Sequence, residues 1–230
     1  MRALAGSGWT VYAVARRAER LAALAEETGA VPVAADITSQ ADVDALAGRV
    51  LADGGLDALV NNAGGAWGMD SVADGSVEDW ARMYEVNVLG TLRVTQAFLP
   101  ALRGNGQGSV LMLTSTAAFT AYEGGAGYCA AKAGEELMTR TLRLEEAEHN
   151  VRVIEVCPGM VKTDEFSRNR LGSEEAAEKV YAGVAKPLTA EDVADVIAYS
   201  LNLPHHINLD QIVMRPVAQA AQHKVIRRGA

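Results

Sequence analysis

The stretch WTVYAVARRAERLAALAEETGAVPVAAD, residues 9–36, changes its hydrophobic period twice, and that change decides the fold. Trp9 to Ala15 is short, apolar and β-branched at Thr10, Val11 and Val14, the composition of a buried strand leaving the turn at Gly8. Arg16 and Arg17 end it. Leu21, Leu24, Ala25 and Thr28 then recur at helical spacing as far as Gly29, a residue that readily takes the left-handed conformation closing a helix. Val31 to Ala35 makes a second short apolar strand, closed by Asp36.

Outward from this strand–helix–strand unit the alternation repeats. The pattern predicts a helix from Ser39 to Ala52, a strand from Leu56 to Val60, a long helix from Val77 to Leu102 and a strand from Ser109 to Leu113. A helix from Gly127 to Glu148 then precedes a strand from Val151 to Cys157, and a helix from Glu191 to Leu201 precedes a strand from Gln211 to Met214. Ser76 with Asp79, and Thr189 with Asp192, have the spacing of helix N-caps. Repeated alternation implies the α/β class: a doubly wound parallel sheet with helices on both faces and ligands at the carboxyl ends of the strands. Only residues 163–187 depart from it, being polar and charged with short helical pieces, as suits a flap over a site within one domain spanning 1–230.

The composition agrees with one core. A chain of 230 residues and 24.3 kDa suits a single α/β domain, and 49% hydrophobic against 22% charged residues is too apolar for disorder. With 21 Lys and Arg against 29 Asp and Glu, the net charge of -8 repels phosphate backbones and anionic lipid, which argues against nucleic acid as a partner. Cys129 and Cys157 have no CxxC or Cys/His spacing, and His205 and His206 have no acidic or cysteine partner at ligand spacing, so neither a disulfide framework nor a metal site is expected. No run of about 18 apolar residues occurs, which excludes a membrane span. Arg2, the apolar residues to Val14 and the triplet Ala13-Val14-Ala15 imitate a secretion signal, but Gly6, Ser7 and Gly8 interrupt it, and a cytoplasmic location is expected.

Polar residues just after strands mark the candidate site. Asn61-Asn62-Ala63-Gly64 follows one strand, Thr114-Ser115-Thr116 another and Pro158-Gly159 a third, while Tyr128 and Lys132 open the helix between the last two. The i, i+4 spacing of Tyr128 and Lys132 puts them on one helical face, where an ammonium can stabilise a phenolate. With Ser115 holding a carbonyl oxygen and Tyr128 giving it a proton, the set meets the requirement for reducing a ketone or aldehyde by hydride. Tyr122 is a rival acid, but Ala126 stands four residues on and nothing in the sequence activates it.

These residues resemble the short-chain dehydrogenase/reductase family. The resemblance is carried by Asn61-Asn62-Ala63-Gly64, Asn87 in Val-Asn-Val-Leu-Gly, Ser115, Tyr128-Cys-Ala-Ala-Lys132 and Pro158-Gly-Met-Val-Lys-Thr163, in order and on the predicted elements. It implies a Rossmann-like fold with Tyr128 as general acid/base and Lys132 binding the nicotinamide ribose while lowering the Tyr128 pKa. Ser115 would orient the carbonyl, and Asn87 would hold a water that links Lys132 to solvent. It also implies adenine contacts from Asp36 and Ile37, a cofactor cleft lined by Asn61, Ala63 and Gly64, and a nicotinamide pocket of Pro158, Gly159, Val161 and Thr163. Arg16 and Arg17 at the end of their strand favour a 2′-phosphate, and so NADP over NAD.

Glu165-Phe-Ser167 with Arg170, Leu203-Pro-His-His-Ile-Asn208 and Met214-Arg-Pro-Val-Ala-Gln219 resemble the NADP-dependent 3-hydroxy acid dehydrogenases. The resemblance implies a small soluble carbonyl or alcohol substrate, a carboxylate on it met by Arg170, and a homo-oligomer, tetramer or dimer. Gly6-Ser-Gly8 imitates a dinucleotide fingerprint but precedes its strand and lacks the third glycine. In this family a first strand and a Thr-Gly-x-x-x-Gly-x-Gly turn precede the helix that ends here near Ala5. The resemblance therefore implies a central strand upstream of Met1, between the strands Trp9 to Ala15 and Leu56 to Val60. It further implies weak NADPH binding by a chain that starts at Met1, the competing reading being a binding or regulatory protein that keeps the fold without catalysis.

Overall fold

The computed structural model describes residues 1–163 and 165–228. A short helix α1 (Arg2–Gly6) leads into β1 (Tyr12–Ala15), α2 (Ala18–Thr28) and β2 (Val31–Ala34), and β1 pairs with β2 in parallel. Gly29 closes α2 at φ 71°, the left-handed geometry its position predicts. Then follow α3 (Gln40–Ala52) and β3 (Ala58–Asn61). Next come α4 (Val77–Tyr84), a π-turn (Glu85–Gly90) and α5 (Thr91–Asn105), where the sequence pattern predicts one uninterrupted helix. After β4 (Ser109–Leu113), α6 (Ala126–Glu146) and β5 (Arg152–Pro158), the flap forms α7 (Phe166–Leu171) and α8 (Glu174–Tyr181). The chain ends in α9 (Ala190–Asn202), β6 (Ile212–Met214) and a small hairpin of β7 (Gln219–Ala221) and β8 (Lys224–Val225).

The strands β3-β4-β5-β6 form one parallel sheet in that order. Alternation along the strands sends side chains to two faces. Val110 and Met112 of β4 pack with Leu102 of α5 and Leu142 of α6, whereas Leu111 joins Ile154, Val156 and the α9 residues Val193, Ile197 and Leu201 on the other face. Every residue of β5 is buried, as a central strand covered on both sides must be. Among the described residues β1 and β3 are not bonded to each other, so the sheet is in two pieces. Tyr12 and Val14 of β1 nevertheless pack with Leu56 and Leu59 against the same cluster of α3 and α5 side chains. Ser39, Ser76 and Thr189 each accept a backbone N–H three residues on, and Thr189 with Asp192 completes a reciprocal capping box.

Candidate active site

The site lies where β3, β4 and β5 end. A cavity of about 1120 Å³ runs from β1 and β3 to this edge, and Asn61, Asn62, Ala63, Ser115, Tyr128, Pro158, Gly159, Val161, Thr163 and Arg170 all face it. Ser115 follows β4 in extended backbone, and its Oγ accepts the Ala117 N–H at 3.1 Å, which fixes the hydroxyl at the head of a 3₁₀ turn. Tyr128 sits in the first turn of α6, 9% exposed, with the Phe166 ring of the flap edge-on at 5.6 Å.

Behind this wall lie Asn87 and Lys132. Asn87 is fully buried on the π-turn; its Nδ2 donates to the Gly65 and Met83 carbonyls at 2.9 and 2.7 Å, and its Oδ1 accepts the Gly65 N–H at 3.1 Å. The π-turn thus ties α4 and α5 to the loop after β3, a common use of this irregularity at functional sites. The Lys132 ammonium donates to the Leu113 carbonyl at 3.1 Å and to Glu135 at 2.5 Å. Burial, the largest single influence, lowers the Lys132 pKa, but the charge and hydrogen bond of Glu135 together with the nearby Tyr128 and Cys157 turn the net direction upward. At Gly64 a Cβ would stand 2.6 Å from Asn87 Oδ1 and 3.4 Å from Lys132 Nζ, so only glycine lets the loop approach these groups. At Gly159 a Cβ would stand 2.3 Å from Gln219 Oε1, which also accepts the Met160 N–H.

The remaining sequence candidates divide. Ile37 lines the cavity, while Asp36 accepts the Thr38 N–H and hydroxyl, bonds that hold its carboxyl below the ordinary range. Asn61 bonds Thr95 Oγ1 at 3.0 Å and Met112 Sδ at 3.2 Å, and so braces β3 as well as facing the cleft. Arg16 is exposed at the end of β1. Arg17 makes a two-pronged pair with Glu165 of the flap at 2.7 Å, and Arg20 joins the same carboxylate. Arg20 lies one helical turn from Arg17, a spacing visible in the sequence. Arg170 donates to the Gly68 and Gly124 carbonyls and the Tyr122 hydroxyl, which engages three of its five N–H groups. This corrects the expectation for Tyr122: a cation does reach its hydroxyl, from the flap and not from α6. Burial still raises the Tyr122 pKa. Glu135, Glu146, Arg152 and Glu155 are buried charges that the motifs do not include, since nothing in their spacing separates them from a solvated helix face or strand.

The residues present are compatible with a dinucleotide at this edge: Asn62, Ser115, Tyr128 and Thr163 offer polar groups to a cavity whose remaining lining is largely apolar. A parallel α/β sheet with serine, tyrosine, lysine and asparagine gathered at the carboxyl ends of its strands defines an oxidoreductase class. The chain belongs to the short-chain dehydrogenase family, whose model matches residues 1–174. It is 51% identical over 221 residues to an uncharacterized oxidoreductase of Mycobacterium tuberculosis, covering 96% of this chain and 86% of that protein. It is 41% identical over 219 residues to a serine 3-dehydrogenase of Rhizobium radiobacter, covering 93% and 86%. The closed form of a serine dehydrogenase complexed with NADP+ superposes with a TM-score of 0.92 at 34% identity, covering 99% of this chain and 93% of that one.

Proposed function

We propose that this protein is an NADP-dependent oxidoreductase that interconverts a carbonyl and an alcohol on a small soluble substrate, a 3-hydroxy acid being the favoured class. The observation that carries the reading is the placement of Ser115 and Tyr128 on one wall of the cavity with Lys132 and Asn87 buried directly behind. When bound, the nicotinamide supplies or accepts the hydride. Ser115 Oγ hydrogen-bonds the substrate oxygen and fixes its position beside the Tyr128 phenol. Tyr128 gives that oxygen its proton during reduction and takes it back during oxidation. Lys132 holds the ribose hydroxyls and supplies positive charge below the phenol, and Asn87 keeps the loop at Gly64 and Gly65 against it. Pro158, Gly159, Val161 and Thr163 bound the nicotinamide, Asn61, Ala63 and Gly64 the adjoining cleft, and Asp36 and Ile37 the adenine. Arg16 and Arg17 read the 2′-phosphate. Arg170, two of whose N–H groups have no partner among the described residues, receives the substrate carboxylate. The likeness to a serine 3-dehydrogenase and to a serine dehydrogenase complexed with NADP+ supports both the substrate class and the cofactor.

Steady NADPH oxidation against a panel of aldehydes and keto acids tests the activity. Tyr128→Phe removes the transferable proton and little else, so turnover falls at least a thousandfold while NADPH affinity stays within a factor of two or three, on the order of what loss of a general acid costs. Turnover within about tenfold of the parent protein would exclude Tyr128 as the acid.

A further inference from the structure

The Lys132–Glu135 pair has a feature that the proposed chemistry does not require. Their side chains are 5% and 0% exposed, three residues apart on α6, with Nζ to Oε2 at 2.5 Å. The second oxygen, Glu135 Oε1, is buried without a hydrogen-bond partner. An ammonium withdrawn from water to this degree loses several kcal/mol of hydration, and a carboxylate loses as much, so each charge persists only through the other. Among the described residues no second carboxylate bonds the Lys132 ammonium. Glu155 on β5 has both oxygens engaged, by Thr114 at 2.6 Å and Gln211 at 3.0 Å, and Cys157, also on β5, is a thiol whose pKa is pushed up to about 12 by burial. Tyr128, on the same helix, and the neutral Leu113 carbonyl of β4 complete the surroundings of the ammonium. Arg170 faces Tyr128 from the flap side, 5.6 Å from the ring centre.

We propose that Glu135 is a positioning residue for the site: it is the counter-ion that keeps Lys132 charged and anchors its ammonium between the end of β4 and the loop at Gly64. The carboxylate touches neither substrate nor cofactor and acts through Lys132 alone. The inference rests on the oxidoreductase reading only for its consequence, since a neutral Lys132 would withdraw the positive charge from beneath Tyr128.

The test follows the ionisation of the Lys132 amine by nuclear magnetic resonance in lysine-labelled protein without cofactor, the signal being assigned by its loss in Lys132→Arg. In Glu135→Gln the shape is kept and the charge removed, and the Lys132 midpoint falls by about one to three pH units, the range for a buried amine that loses its counter-ion. In Glu135→Asp the carboxylate withdraws by one methylene, and the fall is smaller but of the same sign. This second variant serves if the glutamine protein does not fold. A midpoint unchanged or raised in either folded variant overturns the proposal. Where turnover is measurable, the alkaline limb of kcat/KM moves to lower pH in the same order. Turnover that survives Tyr128→Phe would exclude Tyr128 as the acid, and the absence of NADPH oxidation in the parent protein would refute the oxidoreductase reading; either leaves the Lys132 titration to decide the role of Glu135 by itself.

Discussion

Glu165 on the flap occupies Arg17, one of the two cations that the sequence assigns to a phosphate. Its carboxylate takes both prongs of Arg17 and reaches Arg20, and these partners, Arg17 first, hold its pKa at about 2. A carboxylate depressed in this way contributes stability above its ordinary range and loses it only as pH falls through about 2. The pairing is therefore constant between pH 5 and pH 8, and salt, not acid, weakens it, because Arg17 and Arg20 are mostly exposed. If Arg17 reads a 2′-phosphate, the phosphate and Glu165 compete for it. Glu165→Gln should then lower the Kd for NADPH by about tenfold at low salt and leave that for NADH nearly unchanged, with the gain fading as salt rises. Equal shifts for both cofactors in titration calorimetry would show that Arg17 holds the flap and nothing else. Residue identity made Arg17 conspicuous in the sequence. The partner, 148 positions away, was not legible, because only the folded chain brings the flap to the end of β1.

At the scale of elements, short apolar strands, Gly29 and the caps at Ser76 and Thr189 were readable because each is a local rule with a local cause. The π-turn was not. A helix that gains one residue per turn at Glu85–Gly90 keeps an apolar stripe on either side, so periodicity cannot distinguish it from a continuous helix between Val77 and Leu102. Its cause is tertiary: Asn87 serves the backbone of Gly65, and Gly90 lies so close to Ile37 that a Cβ would stand 2.8 Å from its Cδ1. Asn87→Ala leaves the half-buried Gly65 N–H and C=O without their partner, at a cost of about 1 to 3 kcal/mol. Urea denaturation should show the midpoint falling with the slope unchanged. A loss below about 0.5 kcal/mol would mean that the loop after β3 is held by other bonds, and that the π-turn serves the site without bracing it.

The whole molecule is unevenly secured. The β4–β5 pair is buried on both faces and bonded on both edges, whereas among the described residues β1 is bonded to β2 alone and approaches β3 through side chains of the α3–α5 cluster. Local opening follows such differences, since few backbone bonds need break to free a strand paired on one side. Amide exchange should be slowest in β4 and β5 and faster by orders of magnitude in β1 and β2, with Tyr12 to Ala15 opening below the global unfolding energy. The proposed cofactor contacts lie on both pieces: Arg16 and Arg17 after β1, Asn61, Ala63 and Gly64 at the end of β3, and Pro158, Gly159, Val161 and Thr163 at the end of β5. A ligand bridging them stabilises the protein only in the conformation that holds the pieces together. At a hundred times its Kd, NADPH should add about 2.7 kcal/mol to the opening energy of any unit whose opening destroys the site. The expected result is protection extending into β1 and β2 as well as β3. Protection confined to β3–β6 would mean that the nicotinamide end binds without the β1 arginines. NADP over NAD would then have no physical basis in Arg16 and Arg17, whatever the turnover.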